Sequence, residues 1–157
     1  NYGLTDLYYS QSKLYLTNPN KDIASIQIYS YLDGSAELVA EDTLVDVPNT
    51  IMVLENYYIA GLSSNAGCYI ALLDDNNSIH PKFSIADGFS IREVHYSDNR
   101  LILSAGYNGI LVYEWSNMAI EPQLISYIST SYSYSARLFD ENKIIVGTKN
   151  GIEFYEI

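Results

Sequence analysis

The same short apolar phrase returns four times along this chain. "KLYLT" begins at Lys13, "YYIAG" at Tyr57, "RLILS" at Arg100 and "KIIVG" at Lys143, at steps of 44, 43 and 43 residues. A second column keeps the same beat: "SIQIYS" from Ser25, "GCYIAL" from Gly67, "GILVYE" from Gly109 and "GIEFYE" from Gly151 are each 42 residues apart. A period of this length belongs to proteins built by stacking one supersecondary unit on the next, so it constrains the fold before any single residue does.

Each copy opens with a third apolar segment: "DLYYSQS" from Asp6, "TIMVLEN" from Thr50, "EVHYSDN" from Glu93 and "ARLFDEN" from Ala136. Ser12, Asn56, Asn99 and Asn142 then fall in one column. Such residues favour turns because their side chains bond nearby backbone groups, so a hairpin is expected at each. "AELVA", "PKFSIA" and "PQLISYI", following turns that carry Gly34, Pro81 and Pro122, supply a fourth segment to three copies, and the last copy has none. The apolar runs are short, β-branched or aromatic, and cut by Gly, Asn, Asp or Pro, which argues for strands over helices. Residues 14–16 and 144–146 are apolar without alternation, as in strands covered on both faces. Asn108-Gly109 and Asn150-Gly151 should sit at tight turns with a residue at positive φ.

The expected fold is all-β: a β-propeller of four-stranded antiparallel blades, one domain over residues 1–157, with blades at about 2–45, 46–87, 88–132 and 133–157. The strands "NGILVYEWS" and "NGIEFYEI", each following a short "RLILSA" or "KIIVGT" strand, resemble the LVIVD repeat of bacterial and archaeal surface propellers. That family has Asp after its apolar triplet, where this chain has Tyr113-Glu114 and Tyr155-Glu156. WD repeats fit less well, since no Trp-Asp pair or Gly-His start occurs. The resemblance implies a ring of six to eight blades, of which these four copies, about three and three-quarter blades, would be a part. The alternatives are a four-bladed ring lacking its outermost strand and two chains completing one ring. The strand at 151–157 should then be an edge, paired antiparallel with an upstream segment of a longer protein or with another polypeptide.

A net charge of −11 repels phosphate backbones and anionic headgroups, and no basic run relieves it, so nucleic acid is not an expected partner. No apolar run is long enough to span a membrane, and the sequence begins at Asn1 without Met, so a leader or anchor would lie outside it. Cys68 is the sole cysteine, which excludes an intrachain disulfide and a cysteine-based zinc site. Sixteen tyrosines, few lysines and the acceptor triplet Asn76-Asn77-Ser78 suit an extracellular, cell-surface or periplasmic setting.

No nucleophile elbow, phosphate loop or dinucleotide fingerprint is present. His80, placed in the turn before Pro81, and His95, on a first strand, do not make a metal pair. "LDDNNS" from Leu73 lacks calcium-loop spacing and reads as a turn. Asp6 and Glu93 share a column with Thr50 and Ala136; they read as hydrated channel lining, the rival being a carboxylate pair for acid–base work. The expectation is a non-enzymatic binding or scaffold module without cofactor or metal. Its contacts with a protein or glycan would come from loops at one end, through Asn18, Asn20, Asp22, Ser63, Asn65, Asp87, Tyr107 and Asn108. The alternative is a lactonase-like propeller hydrolase with a metal in the channel, its carboxylates coming from Asp6, Glu93 and residues outside this sequence.

Overall fold

The computed structural model describes residues 4–157; Asn1 and the start of the first unit at residues 2–3 lie outside them. All regular structure there is β, in four antiparallel sheets with no helix. The first sheet is β1 (Leu7–Ser10), β2 (Lys13–Asn18), β3 (Ser25–Leu32) and β4 (Ser35–Thr43), in that order across the sheet. The second is β5 (Pro48–Leu54), β6 (Tyr57–Leu62), β7 (Cys68–Leu73) and β8 (Ile79–Ile85). The third is β9 (Glu93–Ser97), β10 (Arg100–Ser104), β11 (Ile110–Glu114) and β12 (Gln123–Ile128). The fourth has only β13 (Ser133–Asp140), β14 (Lys143–Thr148) and β15 (Gly151–Glu156). The four apolar phrases are the second strands β2, β6, β10 and β14.

The repeat extends to irregularities. The register between third and fourth strands shifts after Ile28, Ile70 and Val112, again at steps of 42 residues. A bulge there adds local twist to each sheet at the same level. His80 and Pro81 lie within β8 rather than in the turn before it. Proline is tolerated because β8 is an edge strand, where a missing N–H takes nothing from the ladder.

Turn chemistry explains the hairpins. Gln11 and Ser12 both have positive φ (49° and 60°), as do Asp98 and Asn99 (49° and 61°), the conformation that matches a two-residue turn to strand twist. The two Asn-Gly phrases are built differently from each other. Gly151 (φ 122°) opens β15 directly after the two-residue link Lys149-Asn150. Gly109 (φ 79°) instead ends a five-residue link, Ala105 to Gly109, in which Asn108 N donates to Ala105 O at 3.0 Å.

Three apolar layers lie between successive sheets. Tyr15, Ile26 and Ile28 meet Tyr58, Ala60 and Ala71 between the first and second. Ile59, Cys68 and Ile70 meet Leu101, Leu103 and Leu111 between the second and third. Ile102, Ile110 and Val112 meet Ala136, Ile144 and Val146 between the third and fourth. The first strands β1, β5, β9 and β13 approach one another in sequence, while among the described residues no comparable packing returns from the fourth sheet to the first. The arrangement is therefore an open succession of sheets, not a closed propeller. Coverage on both faces, expected for residues 14–16 and 144–146, is found instead in β6 and β10. In β2 and β14 burial alternates, because one face of each end sheet has no neighbour.

Candidate functional site

Two places gather the chemistry-bearing side chains. The first is a groove of about 390 Å³ along the first strands, bordered by Asp6, Tyr8, Met52, Glu93, His95 and Arg137 among others. Asp6 Oδ2 accepts hydrogen bonds from Thr50 Oγ1 (3.0 Å) and from the Ile51 backbone N (2.9 Å), and its Oδ1 accepts one from Leu7 N (2.8 Å). One repeat pair further on, Glu93 Oε2 accepts from Ala136 N (3.1 Å) and Oε1 from Arg137 Nη2 (2.5 Å). Each carboxylate thus clasps the first strand of the following sheet. A general base needs a lone pair aimed at substrate, whereas every oxygen of both carboxylates already accepts from a backbone or side-chain donor of the protein. Burial, helped by the Arg137 charge and opposed by Glu93, draws the His95 imidazole below its ordinary pKa and favours its neutral form. Among the described residues no three His, Cys, Asp or Glu side chains converge as metal ligands would.

His80 and Asp74 pair at 2.9 Å at the far end of the second sheet, near the base of the "LDDNNS" turn. Asp74 Oδ1 accepts from Asn76 N (2.9 Å) and Ser78 N (2.8 Å), so the carboxylate organises its own turn. The His80 bond, with those N–H donors, holds the Asp74 carboxyl below the usual range.

The second place is the end of the sheets where second strands turn into third strands and where one sheet hands over to the next. All eight residues singled out from the sequence lie at this end, Asn18 as the last residue of β2 and the other seven in the links after β2, β6, β8 and β10. They divide by role. Asn18 Oδ1 accepts from Asn20 N (3.2 Å) and Asn20 Oδ1 from Asp22 N (3.1 Å), so these two shape their own loop, while Ser63 Oγ donates to Asn49 Oδ1 (2.8 Å) and ties its loop to β5. Asp22, Asn65, Asp87, Tyr107 and Asn108 are exposed. Gly88 N donates to Asn65 O (3.0 Å), which seats the loops of Asn65 and Asp87 side by side.

The densest feature at this end includes residues that sequence reading passed over. Tyr107 is 73% exposed, and its ring stands edge-on to Tyr132 with centroids 4.7 Å apart; Tyr132 in turn lies 4.7 Å from Tyr134. The stretch "STSYSYSA" carried the signal, an alternation of Ser and Tyr that sends both rings to one side of the chain. The loop beneath is rigid: Ser133 Oγ donates to Gly109 O (2.7 Å) and Ser133 N to Gly106 O (2.9 Å). Rigid amphipathic rings thus stand beside the polar side chains of this end.

No protein family model matches the sequence, and no curated protein matches it. Solved structures do. The crystal structure of the computationally designed Ika4 protein superimposes with a TM-score of 0.77 at 16% identity, over 99% of this chain and 91% of that one. The crystal structure of the computationally designed Ika8 protein gives a TM-score of 0.77 at 16% identity, over 98% of this chain and 46% of that one. At such identity the likeness is one of fold alone, a repeat-built β architecture. This chain spans less than half the length of Ika8.

Proposed function

We propose that the chain is a non-enzymatic binding or scaffold module, an arc of a β-propeller of LVIVD-like type, that meets a protein or glycan partner through the loop end described above. The observation that carries this reading is the cluster in which exposed Tyr107 and Tyr134 flank half-buried Tyr132, against a loop fixed by buried hydrogen bonds and beside exposed Asn108. The engagement of Asp6 and Glu93 in sheet-to-sheet bonds supports a binding role over hydrolysis. A setting outside the cytoplasm is supported by the tyrosine- and asparagine-rich, lysine-poor composition and by the exposed position of Asn76 in its acceptor triplet. Among the described residues no helix is long and apolar enough to cross a membrane.

The test is a soluble glycan array, and affinity capture of proteins in parallel, each run with the parent chain and with Tyr107→Ala. A central tyrosine in an interface contributes about 2 kcal/mol, so a true ligand should bind at least about tenfold more weakly to the variant. A ligand whose affinity is indifferent to Tyr107→Ala and Tyr134→Ala, or one that contacts the first-strand groove, would overturn the assignment.

A further inference from the structure

The end sheets expose surfaces that the rest of the molecule buries, and the repeat says what each was shaped to meet. Ile152 is 70% exposed and Phe154 57%, yet their counterparts Ile26, Cys68 and Ile110, and Ile28, Ile70 and Val112, are all at 0%. In the first three sheets those columns form the face that packs on the following sheet. Ile145 belongs to the same face by register with Phe154, and Phe139 joins it by an edge-on contact with Phe154 at 5.3 Å.

The first sheet is the converse. Leu14 and Leu16 are partly exposed, while Tyr58, Leu101 and Ile144 in the column of Leu14 are at 0%, as are Ala60, Leu103 and Val146 in that of Leu16. In sheets two to four those columns pack on the preceding sheet. The free face of the fourth sheet and the free face of the first are thus the two halves of one interface, already formed three times inside the chain.

We infer that a second copy of this chain occupies both faces, the fourth sheet of each copy packing on the first sheet of the other to give a two-fold ring of eight sheets. A head-to-tail contact must close or else grow into a filament. Length favours two copies: this chain follows the Ika8 fold over 98% of its own length and 46% of the longer chain, so two copies supply about the length of one such protein. Face packing of this kind leaves the outer edge of β15 free, so the contact is made by side chains and not by an added strand. The inference is independent of what the loop end binds.

The experiment measures molar mass by light scattering at micromolar concentration and uses two charge variants, Leu16→Lys on the first sheet and Phe154→Glu on the fourth. The parent chain should run at twice its 17.7 kDa. Each variant alone places a charge in both joints of a ring and should run as a monomer. An equimolar mixture should regain the doubled mass, because one joint is then unaltered and the other pairs Lys with Glu. Emission from the single tryptophan, Trp115, buried between the second and third sheets, reports that each variant is folded. A parent chain that stays monomeric, one that forms open-ended polymers, or folded variants whose mixture fails to pair would each overturn the inference.

Discussion

Replacing Gly109 by alanine isolates the close approach on which the loop end is built. At φ 79° a side-chain-bearing residue is strained by about 1–2 kcal/mol. A Cβ at this position would also stand 2.1 Å from the Ile128 carbonyl oxygen and 3.1 Å from its carbon, both backbone atoms that cannot swing aside. The turn must therefore shift, and Gly109 O accepts from both Ala105 N (2.8 Å) and Ser133 Oγ (2.7 Å). A buried donor left without its acceptor costs about 1–3 kcal/mol, so the total expected is about 3 kcal/mol. Gly34 is the control, with nearly the same φ of 81° and no atom within 4 Å of an added Cβ; Gly34→Ala should cost only the conformational part, about 1 kcal/mol. Urea unfolding followed by Trp115 emission, at one protein concentration, reads both variants. With a slope of about 2 kcal/mol per molar, the midpoint should fall by about 1.5 M for Gly109→Ala and about 0.5 M for Gly34→Ala. Equal shifts would show that the Ile128 carbonyl gives way freely and that the steric reasoning is wrong.

Glu93→Ala should lose about 2 kcal/mol, because it strands the buried Ala136 N–H, while Glu93→Gln, which keeps an acceptor, should lose less; the same urea midpoints decide. Burial and the bond to Asp42 raise the Tyr58 phenol above its ordinary value, so its stabilising effect is complete below the unfolded pKa of about 10 and fades as pH climbs toward the folded value. Tyr15, Tyr69 and Tyr113 are raised by burial as well, so alkaline titration followed by tyrosinate absorbance should show several tyrosines ionising late or only with unfolding, and one fewer of them in Tyr58→Phe. Burial likewise pushes the Cys68 thiol up, and with 0% exposure it should resist alkylation in the native state and react at a rate set by local opening. Rapid native labelling would contradict that placement.

The sheets were legible because a repeat states its answer several times: turn residues and apolar runs recur at one spacing, and chance resemblance in one copy is corrected by the others. The misreading of β2 and β14 has the same origin. Leu14 to Leu16 and Ile144 to Val146 keep the residues that suit a strand between two sheets, and a linear pattern records what a face fits, not whether its partner is present. The loop end could be located from hairpin order, but which side chains point outward depended on turn bonds: Asn18 and Asn20 hold neighbouring backbone, Tyr107 does not. Asp6 and Glu93 stood out as a shared column, yet their task lies across 43 to 45 residues of sequence, on backbone amides that carry no sequence signature. Tyr132 and Tyr134 were visible as letters and became a feature only when the link between the third and fourth sheets folded against the loop of Tyr107.

Three apolar layers in place of one core make the chain's stability a sum of neighbour couplings. In such a system opening spreads from a free end, much as a stack of cards is dealt from the outside. In a single copy, as in the Leu16→Lys variant, amides of β6, β7, β10 and β11, held between two layers, should exchange with solvent slowest, and those of β1 and β15 fastest, along a graded series instead of with a single rate. A chain organised this way has a thermodynamic direction: its outer sheets are the lowest-energy route to the unfolded state, and any partner that caps them protects the interior at a distance without touching it.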